Sequence, residues 1–470
     1  MNLSANINQV FLDSWKKIAL IDESRMLTYQ ELYNQASGIS TWFKKKGCKS
    51  GDRIILDIED RWLLSIIYLA CIMRNYCFIP IDKDLTLKEK NHIIKETNPR
   101  YILNNDKQIK KIKPITHKKP SFFLDETIVS AIFFTSGTTT TPKGVCHNIN
   151  SIILNALAFN KAQKISSSLR FYHILPIFYI GGFLNNLISP WMAGASVYMG
   201  PQFKTLGGLN FWNKLLESKS NVVWLTPSIC SMLIHLNKDD FISKKISQNI
   251  KHIFCGMAHL PENTKKDFLK IFGCNIQESY GSTELLLISA QRKNKFTSMS
   301  NVGNLLSGIK YSFKSHKKIG NELILESKYS FLGYLNKKNK INSKFNTGDI
   351  ATFTRNSLSI KGRLKNLIIK GGVNISPMRI EHILLQNKGL KEVVVIGVPH
   401  KFWGESIFAF LIKKNNFKIS VLENELIKQC EKNLKKNSCP DKYVWVKSFP
   451  KTVSGKIINK KLIEKYKYNA

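Results

Sequence analysis

The first half of the chain alternates short apolar runs with helical periods, and this alternation restricts the fold more than any other feature. "DRIILDIE" reads as a strand, residues 62 to 74 as a buried helix, and "CFIPID" as a strand again. Strands separated by helices build a sheet with helices packed on its faces, so an α/β architecture is expected. After a lysine-rich stretch, "TIVSAIFF" has the continuous apolar character of a strand covered on both sides. It delivers the loop "TSGTTTTPKG" to a sheet edge, where α/β folds hold their ligands. Further strands are expected at "RFYHILP", "SVYMG", "NVVWLTP" and "KHIFCG", with helices between them.

With 470 residues the chain exceeds one ordinary core, which implies two or three domains. From "ELILES" through "ATFTRNSLSIKGR" the spacing tightens into short strands and turns, which suggests a smaller β-rich unit. "PMRIEHILLQN" then reads as a helix, "EVVVIGVP" as a strand, and another helix, a strand and a lysine-rich tail follow. A boundary at "KGRLKN" divides the chain into a large α/β domain of layered sheets and helices, 1–361, and a small α+β domain, 362–470.

Several classes are set aside. The N-terminus lacks a basic start followed by an apolar run, so no secretory signal is expected. The longest apolar stretch, Trp62 to Met73, is well short of the roughly 20 residues a membrane-spanning helix needs. Nine cysteines occur singly with no C-x-x-C pair, which argues against a disulfide framework or zinc site and fits a reducing cytoplasm. The net charge of +38 would suit nucleic acid, an anionic membrane or an acidic partner. Its lysines, however, are scattered among Asn and Ile, and the densest cluster, residues 107–120, lacks the interleaved aromatics of a single-strand binder. Nucleic acid is not an expected partner.

The loop after "AIFF" carries its own chemistry. Hydroxyls and a glycine amide beside Lys143 can wrap an anion, because glycine lets the backbone approach while the others donate hydrogen bonds. Phosphate is the natural candidate. The G-x-x-x-x-G-K-[ST] loop of nucleoside triphosphatases does not fit, since Pro142 stands where its second glycine belongs.

Four companions make a family resemblance specific. "FTSGTTTTPKGV" resembles the phosphate loop of the adenylate-forming enzymes, which include acyl-CoA and aryl-CoA ligases, luciferases and the adenylation domains of peptide synthetases. "ESYGSTE" at 278–284 resembles that family's adenine and magnesium motif, and "FNTGD" at 345–349 its ribose motif. "GRLKNLIIKGGVNISPMRIE" at 362–381 is similar to its hinge segment, and "PKTVSGKI" at 450–457 to the segment that holds its catalytic lysine. The five occur in the family's order, and "LTYQEL" at 27–32 extends the likeness toward the N-terminus.

The resemblance implies activation of a carboxylate at the α-phosphate of ATP, with magnesium, followed by transfer of the acyl group to a thiol. Thr135, Ser136, Gly137, Thr138, Thr139 and Lys143 would hold the β- and γ-phosphates. The family usually has glycine where Thr140 stands, and a β-carbon there limits the conformations open to the loop. Glu284 would bind magnesium, Thr283 touch the α-phosphate and Tyr280 stack on adenine, with Gly256 on the other side of the base. Asp349 would accept hydrogen bonds from the ribose hydroxyls and Arg363 donate to the same sugar. Lys456 would bridge the attacking carboxylate and the α-phosphate, and Lys365 would be the hinge on which the small domain swings. Asn459 and His400 replace residues common in the family, which leaves contacts with the thiol partner open.

Amino-acid-activating relatives carry an acid in mid-chain that pairs with the substrate ammonium. The matching "LPIFYIGGF", 175–183, has none and resembles the pattern of acyl- and aryl-acid ligases, with Tyr179 replacing the usual His. Tyr179 and Gly181 are therefore expected in an acid pocket whose uncharged aromatic wall favours an apolar fatty or aryl acid. Two thiol acceptors remain open: coenzyme A, preferred because the chain ends with the small domain, and the phosphopantetheine of an acidic acyl carrier protein. A catalytically degenerate, basic binding protein is the alternative of another class.

Overall fold

The computed structural model describes residues 2–135, 142–203, 208, 210–236, 240–293, 301–316, 319–337, 344–371, 373–414, 417–452 and 457–466. Most of the loop "TSGTTTTPKG", including Ser136, Gly137, Thr138, Thr139 and Thr140, lies outside them, as does Lys456.

Among the described residues the strands form three sheets of thirteen, six and five strands. The six-stranded sheet holds the elements expected from "DRIILDIE", "CFIPID" and "AIFF". Arg53–Leu56, Cys77–Pro80 and Ala131–Thr135 run parallel in it. Between the first two lies the helix Arg61–Met73, buried over Trp62–Ile72 as its unbroken apolar run requires. The thirteen-stranded sheet has a parallel centre, Val222–Leu225, His252–Cys255 and Ile276–Ser282.

From Leu286 to Arg363 the strands other than Gly333–Tyr334, which joins the six-stranded sheet, continue this sheet in antiparallel fashion, with Gly320–Ser327, Phe345–Thr354 and Ser357–Arg363 in adjacent positions. The expectation of a separate β-rich unit is thereby corrected. Leu323, Leu325, Ala351 and Leu358 belong to the same apolar core as the parallel strands, so these short strands have no core of their own. "LTYQEL" forms a helix start: the Thr28 hydroxyl accepts the Glu31 amide, and Glu31 reaches back to the Thr28 N–H. This reciprocal cap satisfies two of the amides that a helix leaves unpaired.

The last apolar clusters begin at Ile368. One fills the space between the five-stranded sheet, dominated by Leu390–His400 and Gly404–Lys413, and the helices Pro377–Leu385 and Ile419–Asn433; the other packs Val394, Ile396, Phe408 and Phe410 of the same strands against Phe449 and Leu462. No helix among the described residues is long and apolar enough to cross a membrane. All nine cysteines are free, seven of them buried.

Candidate active site

The strand Ile276–Ser282 turns tightly into Leu286–Ala290, and the turn presents Thr283 and Glu284 at the sheet's end. Three bonds hold it. The Leu285 amide donates to the Ser282 hydroxyl at 3.1 Å, the Phe331 amide donates to the Glu284 carbonyl at 2.8 Å, and His147 Nε2 donates to the Thr283 carbonyl at 2.6 Å. His147 ends the strand Lys143–His147 of the six-stranded sheet, so this bond ties the two large sheets together. Burial pushes the His147 imidazole down to about 4 despite that bond. The ring is therefore neutral near pH 7, with its proton on Nε2 facing the carbonyl.

Asp349 and Arg363 are register partners on the antiparallel strands Phe345–Thr354 and Ser357–Arg363. Arg363 Nε donates to Asp349 Oδ1 at 2.6 Å, and the Tyr280 hydroxyl donates to Asp349 Oδ2 at 2.5 Å. The Asp349 carboxylate is thus nearly enclosed, with its side chain 6% exposed against 43% for Arg363. Burial and then the Asp349 charge push the Tyr280 phenol well up, keeping it a donor. Burial works against the Arg363 charge, but the adjacent carboxylate more than offsets it. The turn before Asp349 is set by Gly348 at φ +71° and by the Thr347 hydroxyl, which accepts the Asp349 amide.

At the other end, Thr135 and Lys143, the facing ends of the strands Ala131–Thr135 and Lys143–His147, are paired in register. The short strand Gly333–Tyr334 adds to Lys143–His147 and brings Tyr334 alongside. Its hydroxyl donates to Glu284 Oε1 at 2.9 Å, and Lys143 Nζ stands 5.9 Å from its ring centre. Neither Lys143 nor Glu284 makes an ion pair among the described residues. No group of three or more potential metal-ligating side chains occurs among them. A lone carboxylate at this end does fit magnesium, which keeps several waters and shares phosphate oxygens rather than filling a protein cage.

A cavity of 840 Å³ joins the Tyr280–Asp349–Arg363 cluster to the C-terminal part of the chain, whereas Thr135, Lys143, Thr283, Glu284 and Tyr334 do not line it. Tyr280, Asp349 and Arg363 line it together with Lys365, Lys451 and Ile457. Lys365 lies in the helical turn Leu364–Asn366 directly after Arg363; burial, then the Arg363 and Lys143 charges, lowers its ammonium. Lys451 and Ile457 form an isolated β-bridge, so the ends of the segment containing Lys456 stand at the cavity.

Gly256 follows the strand His252–Cys255, and a β-carbon there would come 2.7 Å from Ser279 Oγ. Glycine is what lets the two strand ends close up. Tyr179 caps the helix Ile180–Phe183, its ring 4.5 Å from that of Phe178, and burial followed by the charges of Asp82 and Asp84 pushes its phenol up to about 12. Tyr179 and Gly181 do not line the cavity.

His147, Tyr334 and the buried Lys265 escape sequence reasoning. Lys265 Nζ donates at 2.8 Å to Oε1 of Glu278, two residues before Tyr280 on the same strand, and at 2.9 Å to Gln291 Oε1. In a chain this rich in lysine, a helix lysine gives no signal. A histidine closing an apolar strand gives a faint one.

This architecture, with Asp349 and Arg363 paired at a cavity that also takes in Lys365, Lys451 and Ile457, is that of an ATP-dependent, AMP-forming acid–thiol ligase. The chain belongs to the AMP-binding enzyme family, which matches residues 13–317; the AMP-binding enzyme C-terminal domain matches 379–456. ATP, magnesium and coenzyme A are the cofactors of this class. The chain is 24% identical to the mitochondrial malonate–CoA ligase of Homo sapiens, over 96% of this chain and 90% of that one. It is 25% identical to a 2-succinylbenzoate–CoA ligase of Listeria monocytogenes, over 96% and 97% respectively. Its fold matches ATP-bound MatB from Rhodopseudomonas palustris with a TM-score of 0.87, at 21% identity and over 99% of both chains.

Proposed function

We propose that the enzyme joins an apolar carboxylic acid to ATP and then passes the acyl group to the thiol of coenzyme A. One carboxylate oxygen attacks the α-phosphorus, the bond from that phosphorus to the bridging oxygen breaks, and pyrophosphate leaves with the electron pair. The thiol sulfur then attacks the acyl carbon, its proton passes to solvent, and AMP departs. Two anions meet in the first step, so its rate depends on charge neutralisation and alignment rather than on a protein nucleophile.

The reading is carried by the Asp349–Arg363–Tyr280 cluster facing the bracketed Lys451–Ile457 segment across one cavity. Asp349 and Arg363 take the ribose, and Tyr280 and Gly256 flank the base. Lys143, Thr135, Ser136, Thr138 and Thr139, with the Gly137 backbone, take the β- and γ-phosphates, and Thr283 takes the α-phosphate. Glu284 holds magnesium, which supplies charge neutralisation when bound. Lys456 bridges carboxylate and α-phosphate. The moving body begins at 362, with Lys365 as its hinge, against a body formed by 1–361. Reduced, buried cysteines favour a cytoplasmic setting.

The two half-reactions separate these roles. Lys456→Ala is expected to abolish pyrophosphate–ATP exchange while sparing thiol transfer from a supplied acyl-adenylate. Lys365→Pro should do the reverse, because a fixed φ near −65° restricts the hinge. Equal loss of both steps in both folded variants would refute the two-position mechanism. ADP and phosphate as products would refute the reaction class. Transfer to a carrier-protein thiol but not to coenzyme A would reassign the acceptor.

A further inference from the structure

We propose that Met257 sets the size of the acid and restricts the enzyme to short-chain carboxylic acids; this rests on the adenylation reading above. Met257 follows Gly256 in the turn after the strand His252–Cys255 and has φ +71°, the left-handed region. That conformation is uncommon for a residue with a β-carbon and persists only where the surroundings impose it.

The backbone directs the side chain at Gly181. A β-carbon at 181 would lie 2.8 Å from Met257 Cε and 3.9 Å from Sδ, so the thioether rests on the bare glycine backbone. Glycine at 181 and a left-handed backbone at 257 together make room for one side chain.

That side chain is a partition. Met257, Ser279 and Tyr280 face the cavity, whereas Gly181 lies behind the thioether, and neither it nor Tyr179, the wall assigned to the acid, lines the cavity. An acyl group on the α-phosphate has its carboxyl carbon at the nucleotide end of the cavity. Its tail runs toward the 179–181 wall and meets the Met257 methyl first. An unbranched apolar thioether accepts a short apolar tail and stops a long one.

Non-hydrolysable acyl-sulfamoyl adenosines carrying acetyl, butyryl or octanoyl groups test the partition by calorimetry, with AMP as the control. The wild type should bind the butyryl compound more tightly than the octanoyl one. Met257→Gly, which suits the left-handed backbone, should raise the octanoyl-to-butyryl affinity ratio at least about tenfold, the gain from burying roughly two more methylenes. Met257→Ala, which keeps the β-carbon, should shift it in the same direction. Gly181→Ala should push the methyl into the cavity and lower butyryl relative to acetyl affinity. Ratios unchanged in both Met257 variants, with AMP still bound, would overturn the partition and leave the adenylation reading standing. Failure of the wild type to bind AMP would overturn both.

Discussion

The two groups of residues proposed to hold the nucleotide are built on opposite principles. At the sugar end, Asp349 is already bonded to Arg363 and Tyr280 and nearly enclosed. At the proposed phosphate end, Lys143 and Glu284 both stand near Tyr334, without an ion pair among the described residues. On the proposed assignment, the ligand's own charges account for the difference. Ribose hydroxyls are neutral, so a carboxylate waiting for them must be neutralised by the protein, because an unpaired buried charge is costly. Triphosphate and magnesium bring their own charges, and a lysine already paired with Glu284 would have to give up that partner to bind them. One end is therefore assembled in advance, and the other is left for the ligand to complete.

The largest expected effect concerns the sheet junction beneath the phosphate end. Burial lowers the His147 imidazole from 6.5 to about 4, so the folded state resists a proton that the unfolded chain accepts. The resulting stability is fully present above pH 6.5 and is lost as pH falls through about 4. It amounts to about 3 kcal/mol in all. Denaturant titrations between pH 7.5 and 4.5 should show a steep acid-side slope, and His147→Gln should reduce it by about one proton. An unchanged slope would remove the junction from the account.

Asp349→Ala comes next, at about 1.5–3 kcal/mol of lost nucleotide affinity. Calorimetry should find AMP and ATP weakened alike, since both carry the ribose. Lys143→Ala should weaken ATP and spare AMP. If both variants weaken both ligands equally, the contrast between the two ends is wrong. Tyr334→Phe is the smallest, about 0.5–1.5 kcal/mol for one hydrogen bond to Glu284. It should appear as a raised magnesium requirement for pyrophosphate exchange, with AMP affinity as in the wild type.

Some of this was legible in the chain. Asp349 and Arg363 stand in two of the ordered motifs and the fold pairs them, and the apolar run of residues 62–73 announces a helix buried along its length. The β-rich stretch before residue 361 was misread as a unit of its own because short strands look alike whether they close on themselves or extend a larger sheet. Only the shared core of Leu323, Ala351 and Leu358 decides between these.

By itself the sequence determined what contiguous chemistry can encode: strands and helices from apolar period, the Thr28 cap, and the hydroxyl and glycine content of the loops. Tertiary structure alone decided which side chains meet. His147 reaches Thr283 across 136 positions, Tyr334 reaches Glu284 across 50, and Met257 fills the space left by Gly181. These contacts depend on strand order and on the junction of two sheets. No local pattern carries that information, because each residue's own neighbourhood in the chain is satisfied whichever partner the fold supplies.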